Sequence, residues 1–198
     1  MVDSIEEKIQ PCVYIDTNIS DAQVQFAEVF RALLQDMGAA DRGIVILCIG
    51  SDRSTGDALG PLVGRRLSAY DAKALGGAWV YGTLDAPVHA KNLTEMVRRI
   101  ARKHPSALVI AVDASLGRME SIGSLTLGKG GIQPGSAFHK NLPPVGDIFV
   151  TGIVSYSNGR DTFGFQDTRL SLVMRMADFI CEGIVNSIES NSIKICER

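Results

Sequence analysis

The sequence predicts one α/β domain of three layers, a mostly parallel central sheet with helices on both faces in the manner of phosphorylase- and hydrolase-like folds. Three observations carry this. Two short runs, Ile44–Ile49 and Ala107–Val112, are apolar throughout, as strands buried on both faces of a parallel sheet must be. Segments with apolar residues at helical spacing alternate with such runs, which is the pattern of βαβ units. Finally, the 198 residues, 45% of them hydrophobic, are enough for a single well-packed core. The whole of 1–198 is therefore expected to be one α/β domain, with 1–19 a loosely ordered N-terminal extension.

The elements follow in order. A first helix is expected from Ser20, with Gln23 completing a capping box. Phe26, Phe30, Leu33, Leu34 and Met37 fall on one face, and Gly38 stops it. Strand 44–49 is followed by small and polar residues, and a helix starts at Pro61, a favoured first helical position, running to Tyr70 with Leu62 and Leu67 inward. A strand near Ala78–Leu84 precedes a helix from Asn92 to Lys103 that buries Leu93, Met96, Val97 and Ile100. Strand 107–113 comes next. Ile122–Leu127 reads as an antiparallel strand, because its connection is too short for a helical crossover. A Gly- and Pro-containing loop spans Gly128 to Pro144, Ile148–Val154 is a strand, and a last helix runs from Thr168 to Ile188 with Val173, Ala177, Ile180, Ile184 and Ile188 on one face.

Charge and composition exclude several classes. A net charge of −2 favours neither nucleic acid nor an anionic membrane as partner. The acidic start, Met1-Val2-Asp3-Ser4-Ile5-Glu6-Glu7, has no signal-peptide core, and no apolar run approaches the roughly 18–20 residues that span a bilayer. The four cysteines show no CxxC spacing and read as buried or stray thiols of a reducing compartment, which points to the cytoplasm. A mean hydropathy of +0.12 leaves room for an apolar patch buried in a homo-oligomer.

The residues able to do chemistry are acids. Gly50, Gly56 and Gly60 do not have dinucleotide-fingerprint spacing, and no Lys-Ser/Thr follows a glycine loop. No GxSxG elbow exists, and Cys48 lies inside a strand. Asp57 follows one buried strand and Asp113 ends another, the sheet edge where open α/β folds build sites. Either acid alone is equally well a loop acid satisfying backbone donors; the two together on adjacent strands favour a site. Asp85, in Gly82-Thr83-Leu84-Asp85-Ala86-Pro87, reads as a turn acid or an accessory carboxylate of the same rim. Among the histidines, His104 in a Lys-His-Pro turn reads as solvated and His89 as a loop residue. His139, in the glycine-rich loop, is the one placed to face a ligand. Asp147 reads as a turn acid at the opposite edge.

Three segments, Thr55-Gly56-Asp57-Ala58-Leu59-Gly60-Pro61, Val109-Ile110-Ala111-Val112-Asp113-Ala114 and Gly131-Ile132-Gln133-Pro134-Gly135-Ser136, resemble in order three segments of the bacterial spore germination protease, an atypical aspartic peptidase. With His139–Asp147 added, the chain more closely resembles the YyaC-type sporulation proteins, compact relatives of that protease. The resemblance covers about Ile44 to Ser157. It implies the fold shared with hydrogenase-maturation peptidases, and it maps the two essential aspartates onto Asp57 and Asp113. Gly131, Gly135, Ser136 and Asp85 would then contact substrate, a protein or peptide such as a small spore protein, in the forespore or spore core, with no cofactor. The alternative it implies is a metal-guided maturation peptidase, with Asp57, Asp113 and His139 holding nickel or zinc. A third reading is a catalytically silent binding protein. The activation segment of the germination protease has no counterpart here, and the segment after Ser136 differs from it.

Overall fold

A computed structural model describes residues 12–134, 144–157 and 162–195. Its six strands are β1 (Val13–Asp16), β2 (Ile44–Cys48), β3 (Trp79–Tyr81), β4 (Leu108–Gly117), β5 (Ser124–Lys129) and β6 (Ile148–Tyr156). The helices are α1 (Ala22–Asp36), α2 (Leu59–Leu67), α3 (Leu93–Lys103) and α4 (Leu170–Ile195). The strands form one sheet in the order β1-β5-β6-β4-β2-β3. β3, β2, β4 and β6 are parallel, and β5 is antiparallel to β6 and to β1, as its short connection requires.

Alternation along the strands divides the core in two. Ile46, Cys48, Ile110, Val112 and Val150 face a layer built from Phe26 and Phe30 of α1, Leu59 and Val63 of α2, and Met176 and Ile180 of α4. Burying each of the larger side chains contributes about 1.5–3 kcal/mol. Val45, Leu47, Ile49 and Ala111 face the other way, onto Leu93 and Ile100 of α3. That single helix covers the β2–β4 end of its face. The β5–β1 end of the face is more open, and Tyr14 stands 63% exposed at its edge.

Several local expectations are corrected. Ser20 and Gln23 make no capping box: the residue preceding α1 is Asp21, without a side-chain cap, and the Gln23 amide instead donates to the Phe179 carbonyl at 3.0 Å. The pull is tertiary, since α1 packs along α4. Part of the expected loose extension, Val13–Asp16, is the edge strand β1. α2 starts at Leu59, two residues before Pro61, because a 3-10 turn over Gly56–Ala58 leads directly into it. His104 is not solvated. It is 8% exposed, its ring centroid lies 4.0 Å from that of Trp79, and its Nε2 shares a 2.9 Å hydrogen bond with the Tyr81 hydroxyl.

Asp147 has the structural role expected of a turn acid. Its carboxylate accepts the Val109 N–H at 2.9 Å and faces the Arg42 guanidinium at 3.4 Å, while Arg42 also donates to the carbonyls of Ser106 and Ala107. This cluster ties the amino ends of β4 and β6 together. Asp147→Ala should cost about 1–2 kcal/mol by orphaning the Val109 amide, read as a melting point several degrees lower. A melting point unchanged within a degree would contradict this role.

Candidate active site

β2 and β4 are neighbours whose onward connections diverge, β2 through α2 to β3 on one side and β4 to β5 and β6 on the other. Such a switch point opens a crevice at the carboxyl ends of the strands. β2 leaves the sheet after Cys48, which is paired with Val112. The chain then bends at Gly50, at φ +138°, whose N–H donates to the Val88 carbonyl at 2.8 Å. It loops back so that the Ser51 N–H donates to the Asp57 carbonyl at 3.0 Å. A Cβ on Gly50 would stand 2.0 Å from that same carbonyl oxygen, and one on Gly60 would stand 2.0 Å from the Ile49 carbonyl oxygen. These two glycines let the start of α2 lie on the end of β2. Asp57, half-buried, is thereby held over the crevice.

Asp113 does not end its strand. β4 continues to Gly117, paired with β6, for five residues past the point where β2 stops pairing. Asp113 is 8% exposed. Its Oδ1 accepts the N–H of Ala114 at 2.8 Å. Burial first, then the nearby charge of Asp57, hold its carboxyl well above the usual carboxylate range, with the Ala114 bond opposing them. The two acids are thus electrostatically coupled, and Asp113 holds its proton to higher pH than an ordinary carboxyl. Burial also pushes the Cys48 thiol up, which leaves it inert as a nucleophile.

One row of side chains was not anticipated. Asp113 is in register with Thr151, Thr151 with Thr126, and Thr126 with Tyr14, so all four project from the face that α3 leaves open. The two threonine hydroxyls are hydrogen-bonded to each other at 2.5 Å. Thr151, Thr126 and Tyr14 line a cleft of about 710 Å³ together with Ser115, Arg118 and Ser157. Threonines at inward positions of otherwise apolar strands were the available sequence signal. In the Asp57 loop, the Ser54 hydroxyl is buried with no hydrogen-bond partner among the described residues.

Of the remaining candidate residues, Asp85, Gly131 and His89 are among those described. Asp85 is exposed, in a turn closed by Thr83 N–H to the Ala86 carbonyl, at the carboxyl end of β3. Gly131 lies at the other end of the sheet: Gly130 donates to the Asp147 carbonyl, and Ile132 bridges Val145. The reason is direction, since an antiparallel β5 that is level with Asp113 at Thr126 leaves the sheet at the amino ends of β4 and β6. Gly135, Ser136 and His139 lie outside the described residues. His89 accepts the Lys91 N–H on Nδ1 at 3.3 Å, next to the start of α3. Among the described residues no three His, Cys, Asp or Glu side chains converge as a metal site. Asp57 and Asp113 are two oxygen donors of the kind nickel or zinc accepts.

A family model described as "Protein of unknown function (DUF1256)" matches residues 15–183. The chain is 42% identical over 181 residues to the Bacillus subtilis (strain 168) protein called "Uncharacterized protein YyaC", covering 91% of this chain and 85% of that one. In three dimensions it is similar to the [NiFe] hydrogenase maturation protease HycI of Thermococcus kodakarensis KOD1. The TM-score is 0.52 at 18% identity, over 79% of this chain and 99% of that one, a likeness of fold. Among the described residues, no helix is long and apolar enough to cross a membrane.

Proposed function

The chain belongs to the DUF1256 family, and on the basis of its coupled aspartates we propose that it is a peptidase acting with Asp57 and Asp113. The observation that carries the reading is Asp113 itself, a buried carboxyl raised by its surroundings and by the charge of Asp57 at a switch-point crevice. Buried like charges cannot both ionise cheaply, so the pair holds one proton between them. The protonated Asp113 donates a hydrogen bond to the scissile carbonyl oxygen, while the ionised Asp57 takes a proton from the attacking water. Water oxygen bonds to the carbonyl carbon. The oxyanion held by the Asp113 hydrogen bond then re-forms the carbonyl as the C–N bond breaks, and the leaving amine receives the proton held by Asp57, which leaves both acids as they began. The likeness of fold to a maturation protease and the resemblance of three segments to the spore germination protease support this reading.

The substrate class is protein or peptide, with small spore proteins the first to try, and the setting is sporulation, in the forespore or spore core. The test is digestion of a random decapeptide pool and of purified small spore proteins by the wild-type chain, with new termini read by mass spectrometry. New termini support the reading; their absence at high enzyme concentration moves the assignment to a binding protein that kept the pocket.

Metal dependence is checked separately. If nickel or zinc were held here, Asp57 and Asp113 would supply oxygen ligands and His139 a nitrogen. Calorimetric titration of either ion should show weak binding that His139→Ala barely changes, because the acid pair acts without a third ligand. Micromolar binding lost in His139→Ala, and weakening as pH falls through about 6.5, would move the assignment to metal-guided chemistry.

A further inference from the structure

Among the described residues, no strand pairs with the β2-facing edge of β4 past Val112, beside the acids. Its even-numbered residues direct their main chain toward β2: Leu108 donates to the Gly43 carbonyl and the Val112 carbonyl accepts from Ile49, each at 2.7 Å. Its odd-numbered residues serve β6, as Val109 accepting from Asp147 and Gly117 accepting from Ser157 show. Pairing with β2 stops at Val112. Past that point, Ala114 and Leu116 still direct their main-chain groups to the side β2 has vacated, and among the described residues no strand pairs with them there. Asp113 Oδ1 occupies the Ala114 N–H. This turns the carboxyl toward the same side, and among the described residues the Ala114 carbonyl and the Leu116 N–H and carbonyl have no strand partner there.

We infer that this edge of β4, Ala114 to Gly117, receives the main chain of the polypeptide substrate as an added strand, which lays the scissile bond against Asp113 and Asp57. The inference rests on the peptidase reading above. The occupant follows from what the edge offers. It presents alternating acceptor and donor groups and continues the β2–β4 ladder where β2 departs, so an extended peptide is the complementary partner. The other free edges do not serve. At about 4.8 Å per strand, β1 stands roughly 14 Å and β3 roughly 10 Å from β4, too far to bring a main chain to the acids. Recognition through main-chain groups also makes binding tolerant of sequence away from the cut bond.

Two measurements decide it. In Asp57→Asn protein, the Leu116 amide should exchange rapidly with solvent and slow at least tenfold when the random decapeptide pool is added. The Ser115 and Gly117 amides, directed to β6, should not change. A Leu116 amide unaffected by saturating peptide overturns the inference, and if the wild-type chain still cuts the pool, the peptidase reading survives without it. Protection without cleavage keeps the edge and overturns the peptidase reading. Second, single N-methylation along a cleaved decapeptide should lower kcat/KM about tenfold at positions two residues apart, with small effects between them. A profile without that period of two rejects strand addition.

Discussion

Asp113→Asn and Asp57→Asn are each expected to lower peptide cleavage by at least about 100-fold, the scale of a lost general acid or base, while leaving the chain folded. Asn keeps the size and can accept the Ala114 N–H through its carbonyl oxygen, but it cannot cycle a proton. Stability supplies an independent readout for Asp113. Its folded pKa is raised above the ordinary 3.8. From that value upward the unfolded chain releases a proton that the folded chain retains. Its contribution is therefore fully present below 3.8 and is lost as pH rises to the folded pKa, at about 1.4 kcal/mol per pH unit. Asp113→Asn removes that slope, so its melting temperature should gain on the wild type as pH rises through this window. Kinetics on a peptide cut by the wild type, with melts over the same range, check both. Activity within threefold of wild type in either variant rejects the pair as the catalytic machinery.

Gly50→Ala should be the most damaging change outside the acids. Its φ of +138° is strained for any residue with a side chain, and the new Cβ would meet the Asp57 carbonyl oxygen at 2.0 Å. Backbone strain and overpacking each cost about 1–3 kcal/mol, so a loss of about 3 kcal/mol and a melting point lowered by about 10 °C are expected. The clash falls on the loop that carries Asp57. Activity should therefore drop more than tenfold even well below the melting transition, where Asp147→Ala keeps wild-type activity. A Gly50→Ala chain that melts within 2 °C of wild type and cuts at the wild-type rate would show that this crossing is not what places Asp57.

Much of this was legible along the chain. The buried parallel strands announce themselves as unbroken apolar runs, because a strand covered on both faces has no solvent side to mark. α1, α3 and α4 follow from apolar residues at helical spacing. The antiparallel sense of β5 follows from the shortness of its connection to β4. Asp57 and Asp113 could be picked out because one lies in the loop after an apolar run and the other directly follows one.

What the chain could not say depends on partners distant in sequence. Gln23 abandons its capping box for the Phe179 carbonyl, 156 residues away. His104 is buried by Trp79 and Tyr81, which a Lys-His-Pro turn does not reveal. Asp113 looked like a strand end because the apolar run stops there; only the pairing with β6 shows that β4 runs on, past the point where, among the described residues, β2 stops pairing. Gly131 shares a motif run with Gly135 and Ser136, yet the antiparallel course of β5 delivers it to the far end of the sheet. Sequence by itself determined the layers and the acids, because hydrophobic period and residue type are local properties. Tertiary structure alone decided that Asp113 is buried beside the charge of Asp57 and where, among the described residues, strand pairing stops, because burial, register and strand direction exist only between segments.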